Sequence, residues 1–340
     1  MGLGAGPGGE ALPNCPQAGV TMRRFLQSGM PDTSSAAPPA AAPTAPVGGW
    51  AATGPLLAMA GAVAFSGKAI IVKLAYRHGI DAITLITQRM VVALPFFLWM
   101  VWWSGRGRPA LGRRDLGWVC LLGFLGYYLA SLLDFWGLHY VSASLERLIL
   151  YLSPAVVLLL ARLLLGQRTQ PRQWLAMALA YAGLGLVFGH ELRLQGPQVG
   201  WGAALVLGST VSYALYLLYS GQVVKRIGAL RLTGWASSVA CVLCLLQFAA
   251  LRPLASLTAW PPAVGWLSLL NGTVCTVLPV WLVMRAIEAI GPARTAQYGM
   301  VGPVSTLLLG VGVLGEPFTV WVASGSLCVL AGVTLLARSR

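Results

Sequence analysis

The chain has 340 residues, of which 57% are hydrophobic and only 9% charged, and its mean hydropathy is +0.74. A water-soluble domain carries about 25% charged residues, so this composition excludes a soluble globule and reads as a polytopic membrane protein. The formal net charge of +14 does not point to nucleic acid, because the basic residues fall between apolar runs and not along one face or arm.

Residues 1–50 are rich in Gly, Ala and Pro and poor in large hydrophobes. Such a segment buries too little to offset its ordering entropy, so it is expected to be a disordered N-terminal arm. Arg23 and Arg24 are followed by a polar, Pro-rich stretch and not by the apolar core of a secretory signal.

From Trp50 onward, apolar runs alternate with short polar breaks. A helix needs about 20 apolar residues to cross the hydrocarbon. The spacing predicts ten spans, at 54–76, 82–103, 116–138, 143–165, 172–190, 199–220, 232–251, 263–285, 293–314 and 318–337. Fifteen Lys and Arg fall on the N-terminal side of these spans and three on the other, which puts both termini in the cytoplasm.

Two stretches match at an offset of 149 residues. Ser142-Ala143-Ser144 aligns with Gly291-Pro292-Ala293, Pro154 with Pro303, Gly166-Gln167 with Gly315-Glu316, and Ala182-Gly183 with Ala331-Gly332. The chain therefore divides into a five-helix half at 51–194 and a second at 195–340. Five is odd, so the second half enters the bilayer upside down. The expected fold is an all-α membrane protein of ten transmembrane helices in two inverted five-helix repeats, the usual architecture of secondary transporters.

These residues also carry a family likeness. The run Ser142-Ala143-Ser144-Leu145, Leu152-Ser153-Pro154 and Leu165-Gly166-Gln167-Arg168 resembles the fourth-span signature of the EamA-type drug/metabolite transporters. Its second copy is Gly291-Pro292-Ala293, Val301-Gly302-Pro303 and Leu314-Gly315-Glu316-Pro317. Lys73 and Arg89 also fit the family pattern, whereas Gln167 stands where the family commonly has Glu. Over about residues 51–338, the resemblance implies two EamA repeats and export or import of small metabolites, amino acids among them.

Soluble-enzyme motifs fail on context. Gly310 to Gly315 spells GxGxxG but ends an apolar helix, where a dinucleotide site needs a preceding strand. Gly61 to Lys68 departs from P-loop spacing. Asn271-Gly272-Thr273 is a glycosylation sequon inside the eighth span. Cys241 and Cys244 read as small packing residues. His78, His139 and His190 lack ligand spacing, so no metal and no cofactor is expected.

Seven charges lie within the spans: Lys68, Lys73, Arg89, Asp134, Glu146, Arg147 and Arg162. Each costs about 2.5–3.5 kcal/mol at the centre of a helix on insertion scales. Arg162 can snorkel, and Lys68 is left without an assigned partner. The other five lie at similar depth. The short third connection sets Asp134 level with Glu146 and Arg147, so an Asp134–Arg147 ion pair is expected. A structural network and a substrate site weigh equally here, and a gate would be both.

Polar stripes recur on four spans: Tyr127, Ser131 and Asp134; Arg147, Tyr151 and Pro154; Ser209, Tyr213, Tyr216 and Ser220; and Tyr298 with Ser305. Together they suggest a common cavity. Pro154 and Pro303 free the carbonyls of Leu150 and Gly299, either for binding or merely as packing kinks.

The expected function is secondary transport of a small metabolite across the inner (plasma) membrane by alternating access, with export of an amino acid or similar solute as the first reading. Its partners would be a small-molecule substrate and the lipid bilayer, with no nucleic acid, and a homodimer is allowed. The rivals are a membrane-embedded lipid-processing enzyme and a non-transporting scaffold. The enzyme would need a nucleophile–base pair or a metal cluster near the headgroups. The scaffold would tolerate loss of the intramembrane charges.

Overall fold

The computed structural model describes residues 53–338 apart from Gln167, Arg168, Thr258 and Gly291. The arm expected at 1–50 and the variant position Gln167 lie outside the described residues. The helices are α1 Gly54–Tyr76, α2 Ala82–Gly105, α3 Arg113–Leu138, α4 Ala143–Leu165, α5 Pro171–Leu194, α6 Gln198–Ile227, α7 Ala229–Leu251, α8 Pro262–Ile287, α9 Pro292–Tyr298 continued by Val301–Leu314, and α10 Val320–Arg338. All but α9 are long and apolar enough to cross a bilayer, and α9 contributes a shorter apolar helix.

Local chemistry sets the ends. The Asp81 carboxylate accepts from Thr84 N at 3.2 Å and starts α2. Ser142 Oγ accepts from Leu145 N at 3.0 Å and starts α4. α4 and α9 each stop at a left-handed glycine, Gly166 (φ 65°) and Gly315 (φ 72°), as matched positions of the repeat should. α6 runs about two turns past the span expected at 199–220. Arg226 on its last turn pairs with Asp115 at 2.9 Å, and Arg108 donates to Ile227 O at 3.0 Å, so the extension is tied down at the interface.

Inversion is visible in the packing. α1 lies against α8 and α9, and α6 against α3 and α4; α2 packs on α7, and α5 on α10. Exchanging each helix with the one five places along leaves this set unchanged, which is the mark of a pseudo-two-fold axis. With five crossings per half, that axis lies in the membrane plane. Irregularities repeat as well. α3 contains a π turn at Phe124–Leu129, and α8 contains one at Thr273–Val277. α4 breaks at Leu152, and α9 breaks at Gly299 and Met300.

Small residues let the paired helices approach. A Cβ on Gly183 of α5 would meet Gly325 O of α10 at 2.6 Å and Cys328 Cβ at 2.7 Å. Such close backbone approach is how helices associate where the solvent is itself apolar. Gly183→Leu should lower the Tm of the detergent-solubilised protein by an amount corresponding to about 1–3 kcal/mol. Gly185→Leu, with open space at its Cβ, should leave it unchanged.

Candidate functional site

The intramembrane charges meet where α1, α3 and α4 converge. Lys68 Nζ on α1 donates to Asp134 Oδ2 on α3 at 2.5 Å and lies 3.4 Å from Glu146 Oε1 on α4. Both carboxylates are buried, the Glu146 side chain at 0% exposure. One ammonium thus serves two buried carboxylates. The expected Asp134–Arg147 pair is not made among the described residues, because Lys68 occupies Asp134. Arg147 instead donates from Nη2 to Ser66 Oγ at 3.4 Å and lies over the Tyr151 ring at 5.5 Å.

Around Arg147 the two halves are stitched together. Ser66 Oγ donates to Gly302 O at 2.8 Å, Ser305 Oγ donates to Ser66 Oγ at 2.9 Å, and Tyr151 OH donates to Gly299 O at 2.7 Å. The tips of two of these side chains lie close over Gly302, where a Cβ would stand 2.7 Å from Tyr151 OH and 3.0 Å from Arg147 Nη2. The carbonyls released by Pro154 and Pro303 are both taken: Ser153 Oγ donates to Leu150 O, and Tyr151 supplies the bond to Gly299. In this conformation neither is open to a solute.

A second polar layer closes the membrane face where α3 connects to α4. Glu316, just after α9, accepts from Ala143 N at 2.6 Å, Ser144 N at 3.2 Å and Ser144 Oγ at 2.7 Å. Glu191 of α5 accepts from Ser142 N and Ser142 Oγ. Two carboxylates therefore cap the first turn of α4, where free N–H groups and the helix dipole favour negative charge. They line a pocket of about 150 Å³ with Lys73, Ser142, Ser144 and His190. Lys73 thus belongs to this second layer and not to the Asp134 cluster. Sequence reasoning missed Glu191 and Glu316. Glu191 lies one residue beyond the fifth span expected from hydropathy, and Glu316 falls between spans.

The stripes on α3 and α6 form their own assembly. Tyr127 OH and Tyr216 OH are 3.2 Å apart, their rings meet edge to face at 5.3 Å, and Tyr213 stacks on Tyr216 at 5.6 Å. Ser209 Oγ donates to Ala130 O at 2.7 Å. Gly126, inside the π turn of α3, makes room for the Tyr216 ring. Tyr213 is 38% exposed and Tyr298 40% exposed, so both keep free surface. The stripes thus sort into two groups, Tyr127 of α3 with α6 and α4 with α9, while Asp134 of the α3 stripe joins Lys68 of α1 and α1 enters the second group through Ser66.

Arg89 on α2 stands apart. It is 4% exposed, its guanidinium sits 4.6 Å from the Phe135 ring centroid, and its Nε is unpartnered among the described residues.

An inverted ten-helix bundle with a buried ion-pair cluster beside the boundary of its halves defines a polytopic membrane protein of the kind that transporters are built on. The family model for EamA-like transporters matches twice, at residues 52–189 and 200–338, and the chain belongs to that family. It is 31% identical over 278 residues to the uncharacterized transporter YcbK of Bacillus subtilis (strain 168), covering 78% of this chain and 86% of that one. It is 27% identical over 192 residues to the uncharacterized inner membrane transporter YedA of Escherichia coli (strain K12), covering 54% and 59%. A crystal structure shares the fold, with a TM-score of 0.57 at 16% identity over 84% of this chain and 98% of the other. Family membership makes the protein a transporter and not a lipid-processing enzyme.

Removing Lys68 alone would strand two buried carboxylates, a class of change that costs about 3–5 kcal/mol. Lys68→Met should therefore lower the Tm sharply in thermal unfolding. The triple change Lys68→Met, Asp134→Asn, Glu146→Gln should recover most of the loss.

Proposed function

We propose that the protein is a secondary transporter of the inner (plasma) membrane that exports a small metabolite, an amino acid or similar solute, by alternating access, with both termini in the cytoplasm. The observation that carries this reading is the cap on α4. Glu316 comes from the second repeat and Ser144 from the first, so the contact crosses the boundary along which the halves must part. A rocking motion about the pseudo-two-fold axis would break it and open the pocket beside Lys73.

The candidates divide by role. Glu316, Glu191 and Lys73 gate the face where α3 joins α4. Lys68, Asp134, Glu146 and Arg147 form the barrier beneath it, with Tyr151, Pro154 and Pro303 at the hinge between α4 and α9. Tyr127, Tyr213 and Tyr216 close the opposite side with neutral, aromatic contacts. Tyr298 lies at the α9 break, with surface free for solute.

Flux in proteoliposomes tests this. Arg147→Ala should reduce transport at least tenfold at equal expression, whereas Arg162→Ala, whose guanidinium reaches Thr169 Oγ1 at 2.7 Å near the helix end, should leave it within twofold. Equal effects would remove the barrier role. Cysteines introduced by Ala110→Cys and Gln195→Cys should label from opposite sides of the membrane, and same-side labelling would overturn the orientation.

A further inference from the structure

The pseudo-two-fold axis supplies an internal control for Arg89. Gly272 and Gly123 each close an 11-residue helical segment, in α8 and α3, that leads into a π turn. Each meets the neighbouring helix at a matched place. A Cβ on Gly272 would stand 3.0 Å from Arg89 O and 2.7 Å from Val92 Cγ1 on α2. A Cβ on Gly123 would stand 2.6 Å from Ala236 O and 3.1 Å from Val239 Cβ on α7. Arg89 and Ala236 are both the eighth residue of their helices, and Asn271 and Leu122 both precede the contact glycine.

The two places share a backbone arrangement but not a chemistry. At one, Leu122 and Ala236 are fully buried in a single apolar cluster. At the other, Asn271 is 0% exposed with both Oδ1 and Nδ2 unpartnered, and Arg89 is 4% exposed with Nε unpartnered and no carboxylate paired to it among the described residues. The fold requires no polar group there, since its own second copy does without one. Burying an amide without partners costs about 1–3 kcal/mol on protein mutational data, and burying an unpaired charge costs more. Arg89 has no ion pair of its own among the described residues, since Lys68 takes Asp134 and Glu146 and Arg147 turns to Ser66.

We propose that Arg89 and Asn271 anchor the carboxylate of the transported solute. The guanidinium and the Asn271 Nδ2–H₂ offer N–H donors to a planar oxyanion, and one carboxylate supplies the ion-pair partner that Arg89 lacks. Asn271 Oδ1 remains to accept from a donor on the adjacent carbon, so the solute class is an α-amino or α-hydroxy acid. The structure holds this site shut, and a solute reaches it when the α2–α8 contact loosens. This deepens the transport reading and rests on it.

The test uses the full chain, purified for thermal unfolding and reconstituted for counterflow. The probes are the common L-amino acids and L-lactate, each against its primary amide, with neutral sugars as solutes that lack a carboxylate. At least one acid should raise the Tm by several degrees and drive counterflow, while its amide does neither. Arg89→Ala should abolish both responses, Arg89→Lys should retain weakened binding, and Asn271→Leu should raise KM about tenfold. Because Arg89→Ala and Asn271→Leu install the residues of the mirror position, the ligand-free Tm should not fall. Acids that bind the variants as tightly as the wild type, or a wild type whose Tm no acid raises, would overturn the anchor. Absence of counterflow with acids, amides and sugars alike would overturn the transport reading itself.

Discussion

A charge in a bilayer has to find a partner, and Lys68 has found two. Its ammonium is shared by Asp134 on α3 and Glu146 on α4, and these contacts fix three helices of the first repeat relative to one another. Desolvating such groups cancels much of the Coulomb attraction between them, so the cluster is poor as a source of stability. Its effect is on geometry. With Lys68 committed, Arg147 is left to Ser66, and through Ser66 to Gly302 of the second repeat. The coupling of the two halves thus begins at an ion pair wholly within one of them.

The architecture was legible in the sequence because its causes are local. Apolar run length sets the spans, and the matched Pro154/Pro303 and Gly166/Gly315 positions reveal the repeat. Helix ends moved where a distant residue held them, as Asp115 and Arg108 do for α6.

The site was legible only in part. Depth along each helix is only roughly readable from sequence: Asp134 and Glu146 do meet, but on Lys68, which the linear reading sets apart from the group, whereas Lys73 joins Glu191 and Glu316. Azimuth between helices is not readable in this way. Glu146 and Arg147 are consecutive, about 100° apart around α4, and they face different neighbours: Glu146 meets Lys68, and Arg147 turns toward Tyr151 and α9. Lys68 lacked a partner in the linear reading because its partners sit on α3 and α4. Asn271 looked like a misplaced sequon, and only the comparison with Leu122 in the other repeat gives it meaning.

Two perfectly equivalent halves would give two facing conformations of equal energy. Here the correspondence is broken in chemistry. The first turn of α4 is held by the carboxylates of Glu316 and Glu191, whereas the tyrosines that join α3 to α6 are uncharged. The two contacts are therefore unequal: parting α4 from Glu316 and Glu191 breaks hydrogen bonds assisted by charge, whereas parting the tyrosines breaks a neutral one.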